Sequence, residues 1–448
     1  MKQLFLIRHA KSSWADDSIR DLERPLNARG KSQLAPLGRA LAGHDAFAGR
    51  IYVSAATRAR ETLAGVLPAT VPETRVQICP TLYTFDYQKL VHWLQSLGED
   101  EAVALVGHNP ALLELAQWLT ASSLTQLPTG SFIHLHLPID HWHELQPGRG
   151  TLKALLTPRD FSYAQFVRKH RKNAGAESKV SDLAATLQSL HRWLSDLEHG
   201  VVAGFDDEFL HQYRITLRRS RAIVESVREV TGAKHLSTPL KKLKQRAAET
   251  SHLRDMHVFR QQLSALCAGN TELETGLGTY FELAIAREQR QLVERLTGKV
   301  HQKRSNEWRK LIQSRSFRKL ARSLSHKDIR TSVDKRMSQC QRQANALTAD
   351  APDEQVHQLR KRLKRTRYLM ELEPGRWKAA LKRVKQQQAL FGQFQDACVQ
   401  IQLLQQFRGD APEALPAAVA GLETRLTERK TDIRQQILAL GGLDGSPL

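Results

Sequence analysis

The 448-residue sequence contains little cysteine, few aromatic side chains and no long apolar run. Its four cysteines are widely spaced and form no Cys-x-x-Cys pair, which argues against a disulfide framework or a zinc site and indicates a reducing compartment. The apolar run near the N-terminus, Leu4–Ile7, is shorter than a signal peptide requires. No window approaches the roughly 18 apolar residues of a membrane span. We therefore expect a cytoplasmic protein without membrane segments.

Basic residues far outnumber acidic ones, but only in one part of the chain. The sequence holds 67 Lys and Arg against 46 Asp and Glu, a formal net charge of +21, and its 41% of hydrophobic residues is typical of a globular protein. Residues 1–160 contain 16 basic and 15 acidic residues, so the remaining 51 basic and 31 acidic residues carry almost all of the excess. This segregation predicts one neutral domain and one domain that meets a polyanion.

Short apolar runs alternate with helical patterns over residues 1–160, which predicts an α/β domain. The runs at 4–7, 51–54 and 102–106 are expected to be buried parallel strands, with further strands at 132–137 and 151–156. The helical patterns cover residues 31–43, 58–67, 87–97 and 111–119. A polar stretch with a basic run follows, and we place a linker at 161–177.

Long amphipathic helical patterns fill residues 178–448 and contain an internal repeat. The segment HQYRITLRRSR at 211–221 matches HQLRKRLKRTR at 357–367, and LKKLKQ at 240–245 matches LKRVKQ at 381–386. Both copies then run on to an aspartate at the same offset, Asp255 and Asp396. We therefore expect an all-α domain built from a duplicated helical unit.

Four basic side chains follow the ends of three predicted strands in the first domain. Arg8 and His9 follow the first strand, Arg58 opens the helix after the second, and His108 follows the strand at 102–106. The carboxyl ends of parallel strands meet at one edge of a sheet, where ligands bind. A neutral imidazole can attack phosphorus, and arginines can surround the phosphoryl oxygens. The pattern predicts a catalytic site for phosphoryl transfer.

Four ordered motifs carry a family resemblance: LIRHAKSSW at 6–14, DLERPLNARG at 21–30, SAATRARET at 54–62 and LVGHNP at 105–110. Over residues 1–157 the chain resembles the SixA-like phosphohistidine phosphatases of the histidine phosphatase superfamily, which implies a three-layer α/β fold. The resemblance implies that His9 becomes phosphorylated, that Arg8, Arg58 and His108 hold the phosphoryl group, and that Arg24 binds substrate nearby. It implies no metal and no organic cofactor.

The chain departs from the family pattern at two points. Ser-Ala-Ala-Thr precedes Arg58 where the family often has a proline, and the short domain lacks the inserted helices that supply a general acid in many members. Asp86 is the acid candidate, but its position favours a helix N-cap. An imidazole leaving group, with a reference pKa near 6.5, needs little help from an acid. We therefore expect phosphohistidine of a signalling or phosphotransfer protein as substrate, rather than an alkyl phosphate ester.

The repeated helices each present a basic face within an arc of about 80°. We expect both faces to be separate, to lack acidic partners at i+4 and to bind a polyanion. The faces consist of His211, Arg214, Arg218 and Arg221 in the first repeat and His357, Arg360, Lys364 and Arg367 in the second. Two further basic groups are Lys241 with Lys244 and Lys382 with Lys385.

These helices, with HLRDMHV at 252–258 and QFQDACV at 393–399, resemble the conserved-histidine α-helical (CHAD) domain over about residues 178–440. The resemblance implies two four-helix bundles that face each other across a basic cavity for inorganic polyphosphate. Gln395 stands where the first repeat has Arg254. We expect polyphosphate and a phosphorylated protein as partners, and cytoplasmic polyphosphate granules as a candidate location.

Two alternatives stay open at this point. One is a nucleic-acid-binding scaffold with an idle phosphatase domain, although the basic helices offer only Tyr213 and Tyr368 for base stacking, which makes nucleic acid the weaker ligand. The other is a phosphatase that acts on polyphosphate ends or on small phosphate esters.

Overall fold

The computed structural model of the chain describes residues 1–173, 183–373, 375–411 and 413–440. The chain divides into two compact units, Met1–Gly175 with Ala203–Asp206, and Ala176–Val202 with Asp207–Leu448. The stretch 161–177, expected as a linker, begins with a helix of the first unit, Tyr163–Asn173. The exact domain boundaries stay a prediction, because residues 174–182 lie outside the described part.

The first unit contains a six-stranded sheet in the order β3-β2-β4-β1-β5-β6. Its strands are β1 Lys2–Arg8, β2 Arg50–Ser54, β3 Val76–Cys79, β4 Ala102–Gly107, β5 Phe132–Leu137 and β6 Thr151–Leu156. β1, β2, β3 and β4 are mutually parallel, β5 pairs antiparallel with β1, and β6 pairs antiparallel with β5. All five predicted strands are present. The edge strand β3 was not predicted, because it is short and half exposed. A strand of this kind does not need the apolar run that marks a buried strand.

Helices cover both faces of this sheet. Leu4 and Leu6 of β1 lie in one core, and Phe5 and Ile7 lie in the other, because successive side chains of a strand point to opposite faces. The helices of the first unit are α1 Ala28–Ala42, α2 Thr57–Val66, α3 Tyr87–Gln95, α4 Ala111–Thr120, α5 Pro158–Phe161 and α6 Tyr163–Asn173. α1 and α2 supply one core and α3 and α4 the other, so the predicted α/β architecture is confirmed.

The strand register aligns the loops that carry the predicted catalytic residues. Arg8 at the end of β1 pairs with Gly107 at the end of β4, and Val53 near the end of β2 pairs with Val106. The His9 amide continues this pairing with a hydrogen bond to the Gly107 carbonyl, 3.2 Å away. The three loops therefore leave the sheet at one edge and at the same level.

The described part of the second unit is helical throughout. Its helices are α7 Leu183–Ala203, α8 Asp207–Thr231, α9 Ser237–Ala248, α10 Ser251–Cys267, α11 Thr271–Thr297, α12 Lys299–Gln313, α13 Arg315–Arg322, α14 His326–Asn345, α15 Asp353–Met370, α16 Lys378–Asp410 and α17 Pro416–Ala439. The predicted all-α class is confirmed. In the described residues, no helix combines the length and apolar character needed to cross a bilayer.

The matched segments of the two repeats lie in α8, α9 and α10 and in α15 and α16. They differ at one point, because the first copy breaks between α9 and α10 where the second runs on as the single helix α16. The break falls at Glu249 and Thr250, and the Thr250 carbonyl already accepts a bond from the Arg254 amide of α10.

Gly30 in the first turn of α1 lets this helix approach the loop after β1. A Cβ atom at Gly30 would lie 2.3 Å from the Lys11 carbonyl oxygen, and Lys11 stands two residues beyond His9. We predict that Gly30→Ala displaces this loop and lowers the free energy of unfolding by about 1–3 kcal/mol. Chemical denaturation of the full chain measures this. Gly98→Ala, where no heavy atom lies within 4 Å, is the control; equal unfolding midpoints in both variants would contradict the prediction.

Candidate active site and basic helical face

The His9 ring is held in one tautomer by its own loop. Its Nδ1 lies 2.7 Å from the Ala10 carbonyl oxygen, which can only accept a hydrogen bond, so Nδ1 carries the proton and Nε2 keeps its lone pair. The side chain is buried, and this burial lowers the pKa of His9 to about 4, with the charges of Arg58 and Arg8 adding to the effect. The ring is therefore neutral at pH 7, the form in which Nε2 is a nucleophile.

Arg58 lies between the two histidine rings. As the second residue of α2 it follows the carboxyl end of β2, and its side chain is buried. Its Nε donates to His9 Nε2 at 3.3 Å, and its Nη2 lies 3.4 Å from His108 Nδ1. One guanidinium group thus contacts His9 Nε2 and the second histidine together.

His108 follows β4 and completes this cluster. Its ring centroid is 5.1 Å from that of His9, and its Nε2 lies 2.8 Å from Ser54 Oγ at the end of β2. Burial, together with the neighbouring His9 and Arg58, lowers the pKa of His108 to about 3. Without a bound anion, both rings are therefore neutral and the arginines carry the positive charge.

Arg8 and Arg24 each keep polar hydrogens available. Arg8 Nη1 donates to the Leu127 carbonyl at 2.6 Å, while its buried Nε has no partner among the described residues. The Arg24 guanidinium stacks on Trp14, with Cζ 3.9 Å from the ring centroid, and its Nε and Nη1 are likewise buried and unpartnered there. Such donors suit the oxygens of an anion, because an unsatisfied buried donor costs about 1–3 kcal/mol.

Sequence reasoning missed Asp21 and Tyr83. Asp21 Oδ2 accepts hydrogen bonds from Arg58 Nη2 at 2.8 Å and from the Tyr83 hydroxyl at 2.6 Å. Burial acts to raise the pKa of Asp21, but these two bonds outweigh it and lower the pKa overall. Asp21 is therefore a carboxylate that orients Arg58. Asp21 is the first residue of the motif at 21–30, which could have indicated that it lies near the other site residues. Tyr83 belongs to none of the four motifs, so nothing in the sequence indicated its position.

Asp86 caps α3, as predicted from its position. Its Oδ1 accepts a hydrogen bond from the Gln88 amide at 2.9 Å. Asp86 thus serves as an N-cap, and Asp21 is an ionised partner of Arg58 rather than a general acid. Among the described residues, no group of three or more His, Cys, Asp or Glu side chains could hold a metal ion.

In the second unit, the basic faces of α8 and α15 meet, so the expectation that they are separate is wrong. α8 and α15 pack against each other, and Arg218 of α8 and Arg360 of α15 both lie close enough for their charges to act on Lys364. Burial, followed by the charges of Arg360 and Arg218, lowers the pKa of Lys364 to about 7. The Nε atoms of Arg218 and Arg360 are buried without a described partner. The sequence could not show this, because it determines each face but not how two helices pack.

The expected absence of acidic partners at i+4 is also wrong for the last member of each face. Arg221 lies 3.5 Å from Glu225, and Arg367 donates to Glu371 at 2.9 Å. The first arginine, Arg214, is engaged differently: its Nη1 donates to the Ala247 carbonyl and to two hydroxyl groups at the break between α9 and α10. The faces therefore concentrate their unpaired charge in the middle, at Arg218, Arg360 and Lys364.

Two carboxyl groups lie within this cationic surface. Burial raises the pKa values of Asp255 and Asp396, although Arg214 and Arg360 respectively act to lower them. The charge of Asp396 also raises the pKa of Asp255, so the equivalent positions of the two repeats lie near each other. The surface is cationic overall but partly compensated.

The two face histidines have different neighbours. Burial lowers the pKa of His211, and the charge of Arg254 lowers it further. Burial also lowers the pKa of His357, but there Gln395 accepts a hydrogen bond from the ring and opposes the shift. The glutamine thus changes the chemistry at its histidine. The predicted residues Lys241, Lys244, Lys382 and Lys385 are exposed, and no described hydrogen bond or ion pair ties them to the faces.

Family models match both units. The model for the histidine phosphatase superfamily (branch 1) matches residues 4–92, and the model for the CHAD domain matches residues 184–405. The first match contains His9, Arg24 and Arg58 but ends before His108, whose place at the site therefore rests on geometry.

Known proteins are similar to each unit. An uncharacterized chloroplastic protein of Arabidopsis thaliana is 32% identical over 173 residues, covering 35% of this chain and 78% of its own length. An uncharacterized protein of Mycobacterium tuberculosis is 29% identical over 163 residues, covering 34% of this chain and all of its own. The first relative is described as chloroplastic, so relatives of the first unit are not confined to the cytoplasm.

Solved structures resemble the units separately. The protein histidine phosphatase SixA, complexed with tungstate, is 23% identical and covers 35% of this chain and 97% of its own, with a TM-score of 0.29. The CHAD domain from Ricinus communis is 20% identical and covers 59% of this chain and 95% of its own, with a TM-score of 0.48.

Proposed function

Because the chain belongs to the histidine phosphatase superfamily through its first unit and carries a CHAD domain in its second, we propose that it is a phosphohistidine phosphatase tethered to a polyphosphate-binding domain. The substrate is a phosphohistidine side chain of a signalling or phosphotransfer protein. CHAD domains are associated with polyphosphate in general, and here inorganic polyphosphate is the ligand of the second unit.

The tautomer and protonation state of the His9 ring support the phosphatase part of this proposal. Its Nδ1 proton is held by the Ala10 carbonyl, its Nε2 is unprotonated at pH 7, and Arg58 lies 3.3 Å from that nitrogen. A phosphoryl group that bonds to Nε2 displaces the Arg58 N–H from that nitrogen and then accepts hydrogen bonds from Arg58. Unpartnered donors of Arg8, whose charge acts on His9, and of Arg24, whose charge acts on Asp21, supply further contacts. These positive charges stabilise the negative charge of the transferring phosphoryl group. Such electrostatic stabilisation, together with positioning, accounts for most of the catalysis of phosphoryl transfer.

Turnover then takes two displacements at phosphorus. His9 Nε2 forms a bond to phosphorus while the bond from phosphorus to the substrate nitrogen breaks, and the substrate histidine leaves as neutral imidazole when its other nitrogen carries a proton. Water next attacks the phosphorus on His9, releases inorganic phosphate and restores the free ring. His108 and the arginines hold the phosphoryl oxygens in both steps.

The leaving group selects the substrate. An alkoxide must be protonated as it leaves, but Asp86 is an N-cap and Asp21 is an ionised partner of Arg58. A protonated phosphohistidine ring needs no acid from the protein. This favours phosphohistidine over small phosphate esters, and over polyphosphate ends held by the second unit.

We predict that His9→Ala abolishes hydrolysis of a phosphohistidine protein, and that Arg58→Ala and His108→Ala each lower kcat by about 10²–10³, as is typical of losing one charge-stabilising group. Acid-labile phosphate on His9, detected by rapid quenching and mass spectrometry, is the direct measurement. The panel also contains an alkyl phosphate ester and polyphosphate, and each assay is repeated with EDTA, which should have no effect.

His92→Ala is the matched control, since His92 is an exposed histidine of α3 away from the strand ends. Full activity of His9→Ala would overturn the mechanism. Faster hydrolysis of the alkyl ester or of polyphosphate would overturn the substrate assignment while leaving the mechanism standing. Loss of activity in EDTA, restored by a divalent ion, would contradict the metal-free proposal.

The second half of the proposal rests on the unpaired charge shared by α8 and α15. Arg218, Arg360 and Lys364 are half-buried near one another, at a cost that an anion would offset. Tyr213, one of the two tyrosines on these helices, is fully buried, with its hydroxyl 3.1 Å from Glu198. Tyr368 lies against Arg367, with the arginine Cζ 4.6 Å from its ring centroid. A surface without a free stacking platform favours a ligand made of phosphates over a nucleic acid.

We predict that the triple variant Arg218→Gln, Arg360→Gln, Lys364→Gln binds long-chain polyphosphate at least about 100-fold more weakly than the wild type, because three charge-assisted contacts are lost. Arg214 is left intact because its bonds hold the break between α9 and α10. Binding of full-length protein to labelled polyphosphate, with RNA as competitor, is the measurement, and added salt should weaken it.

The control replaces Lys299, Lys303 and Lys327 with glutamine, the same change in charge at exposed positions. Equal weakening in both triple variants would mean that only the net charge matters. It would contradict the proposal that polyphosphate binds to the shared face, formed by Arg218 of α8 with Arg360 and Lys364 of α15. RNA that displaces polyphosphate at equal phosphate concentration would favour the nucleic-acid alternative.

Lys364 should make polyphosphate binding depend on pH. In the free protein its pKa is about 7, and a bound polyanion raises it, so that above pH 7 binding must take up a proton. Affinity should therefore be highest below pH 7 and fall by about 10-fold or more from pH 7 to 9. Lys364→Arg keeps its charge and should flatten this profile, whereas Lys382→Arg, at an exposed lysine of α16, should not. A flat wild-type profile would contradict the prediction.

A further inference from the structure

A second polar cleft lies between α7 and α12, apart from the basic faces of α8 and α15. It has a volume of about 350 Å³ and is lined by residues of these two helices alone. Tyr213 points from α8 toward α7, where its hydroxyl contacts Glu198, and it lies outside the arc that carries His211 and Arg218. The cleft therefore cannot be an extension of the shared face along α8.

One buried side chain of the cleft has an unused polar atom. His191 of α7 is only 8% exposed, and its Nδ1 has no partner among the described residues. An unsatisfied buried ring nitrogen is costly, and a ligand in the cleft would relieve that cost.

Two arginines line the cleft from opposite helices. Arg192 comes from α7 and Arg309 from α12, and both are exposed. Arg192 has a single described contact, to Ser189 at 3.3 Å, and Arg309 has no described hydrogen bond or ion pair. With Asp196 also in the lining, the cleft carries a net charge of +1 when His191 is neutral. Each guanidinium group is thus available for a bidentate contact with a phosphoryl group.

The chain that follows Arg309 adds to the positive potential. Residues 308–327 contain seven Lys and Arg and no Asp or Glu. The five arginine and lysine residues from 315 to 327 that lie on or after α13 are all exposed. Such a stretch attracts anions toward α12 before they bind, because like charges in sequence sum to a directed field.

We propose that this cleft binds a short inorganic phosphate chain, of about tripolyphosphate length, held by Arg192 from one helix and Arg309 from the other. Its volume lies at the lower end of the roughly 300–1,000 Å³ found for small-molecule sites. No Phe, Tyr or Trp side chain lines it, and the one ring in the lining, His191, is buried, which favours an inorganic chain over a nucleotide. The site goes beyond the proposed function, since it is separate from the shared face.

Hydrogen exchange on the full-length chain locates the ligand. Tripolyphosphate should slow exchange in peptides from α7 and α12. Arg192→Gln with Arg309→Gln should remove this protection and weaken the binding measured there at least 10-fold. Protection of α8 and α15 by long polyphosphate reports on the shared face in the same sample, so failure of one site is distinguished from failure of the other.

The matched control is Arg287→Gln with Arg290→Gln, two exposed arginines of α11 that lie outside the cleft and outside the basic stretch 308–327. It should keep the protection of α7 and α12 within about twofold of the wild-type affinity. The proposal is overturned if tripolyphosphate leaves α7 and α12 unprotected, or if the control pair loses as much binding as the cleft pair. Tighter protection by ATP than by tripolyphosphate, abolished by excess adenosine, would overturn the inorganic ligand in favour of a nucleotide.

Discussion

The parallel pairing of β4 with both β1 and β2 is the constraint on which the candidate active site depends. It brings the ends of three strands that are distant in sequence to one level, so that the loops after them carry His9, Arg58 and His108 into contact. Gly30 permits the approach of α1 to the loop beyond His9. The Ala10 carbonyl then selects the tautomer of the His9 ring. No single loop would hold these groups in register without the sheet.

Burial acts in opposite directions in the two units. In the first it keeps His9 and His108 neutral while the arginines carry the charge. In the second it crowds cationic side chains together and lowers the pKa of Lys364. Both arrangements leave positive charge that protein groups only partly compensate. Both therefore favour a phosphate ligand, one at a reacting phosphorus and the other along a chain.

The repeats show how a duplicated sequence diverges in structure. The copies keep the same order of helices, yet one breaks between α9 and α10 where the other runs through α16. Arg214 satisfies carbonyl and hydroxyl groups at that break, and the second copy has no break at the matching place. Gln395 in place of Arg254 similarly replaces a repelling charge with a hydrogen bond to His357. The two halves of the basic surface are thus related but chemically different.

The sequence by itself determined the α/β and helical classes, five of the six strands, the helical repeat and the motifs that bear His9, Arg58 and His108. These signals are local, because a strand or helix is encoded in the spacing of its own apolar residues. The short edge strand β3 has no such spacing. Only the tertiary structure decided that Asp21 and Tyr83 orient Arg58 and that α8 and α15 share one face. Those outcomes depend on which side chains of separate elements come within a few ångströms of each other, and packing rather than local pattern sets that distance.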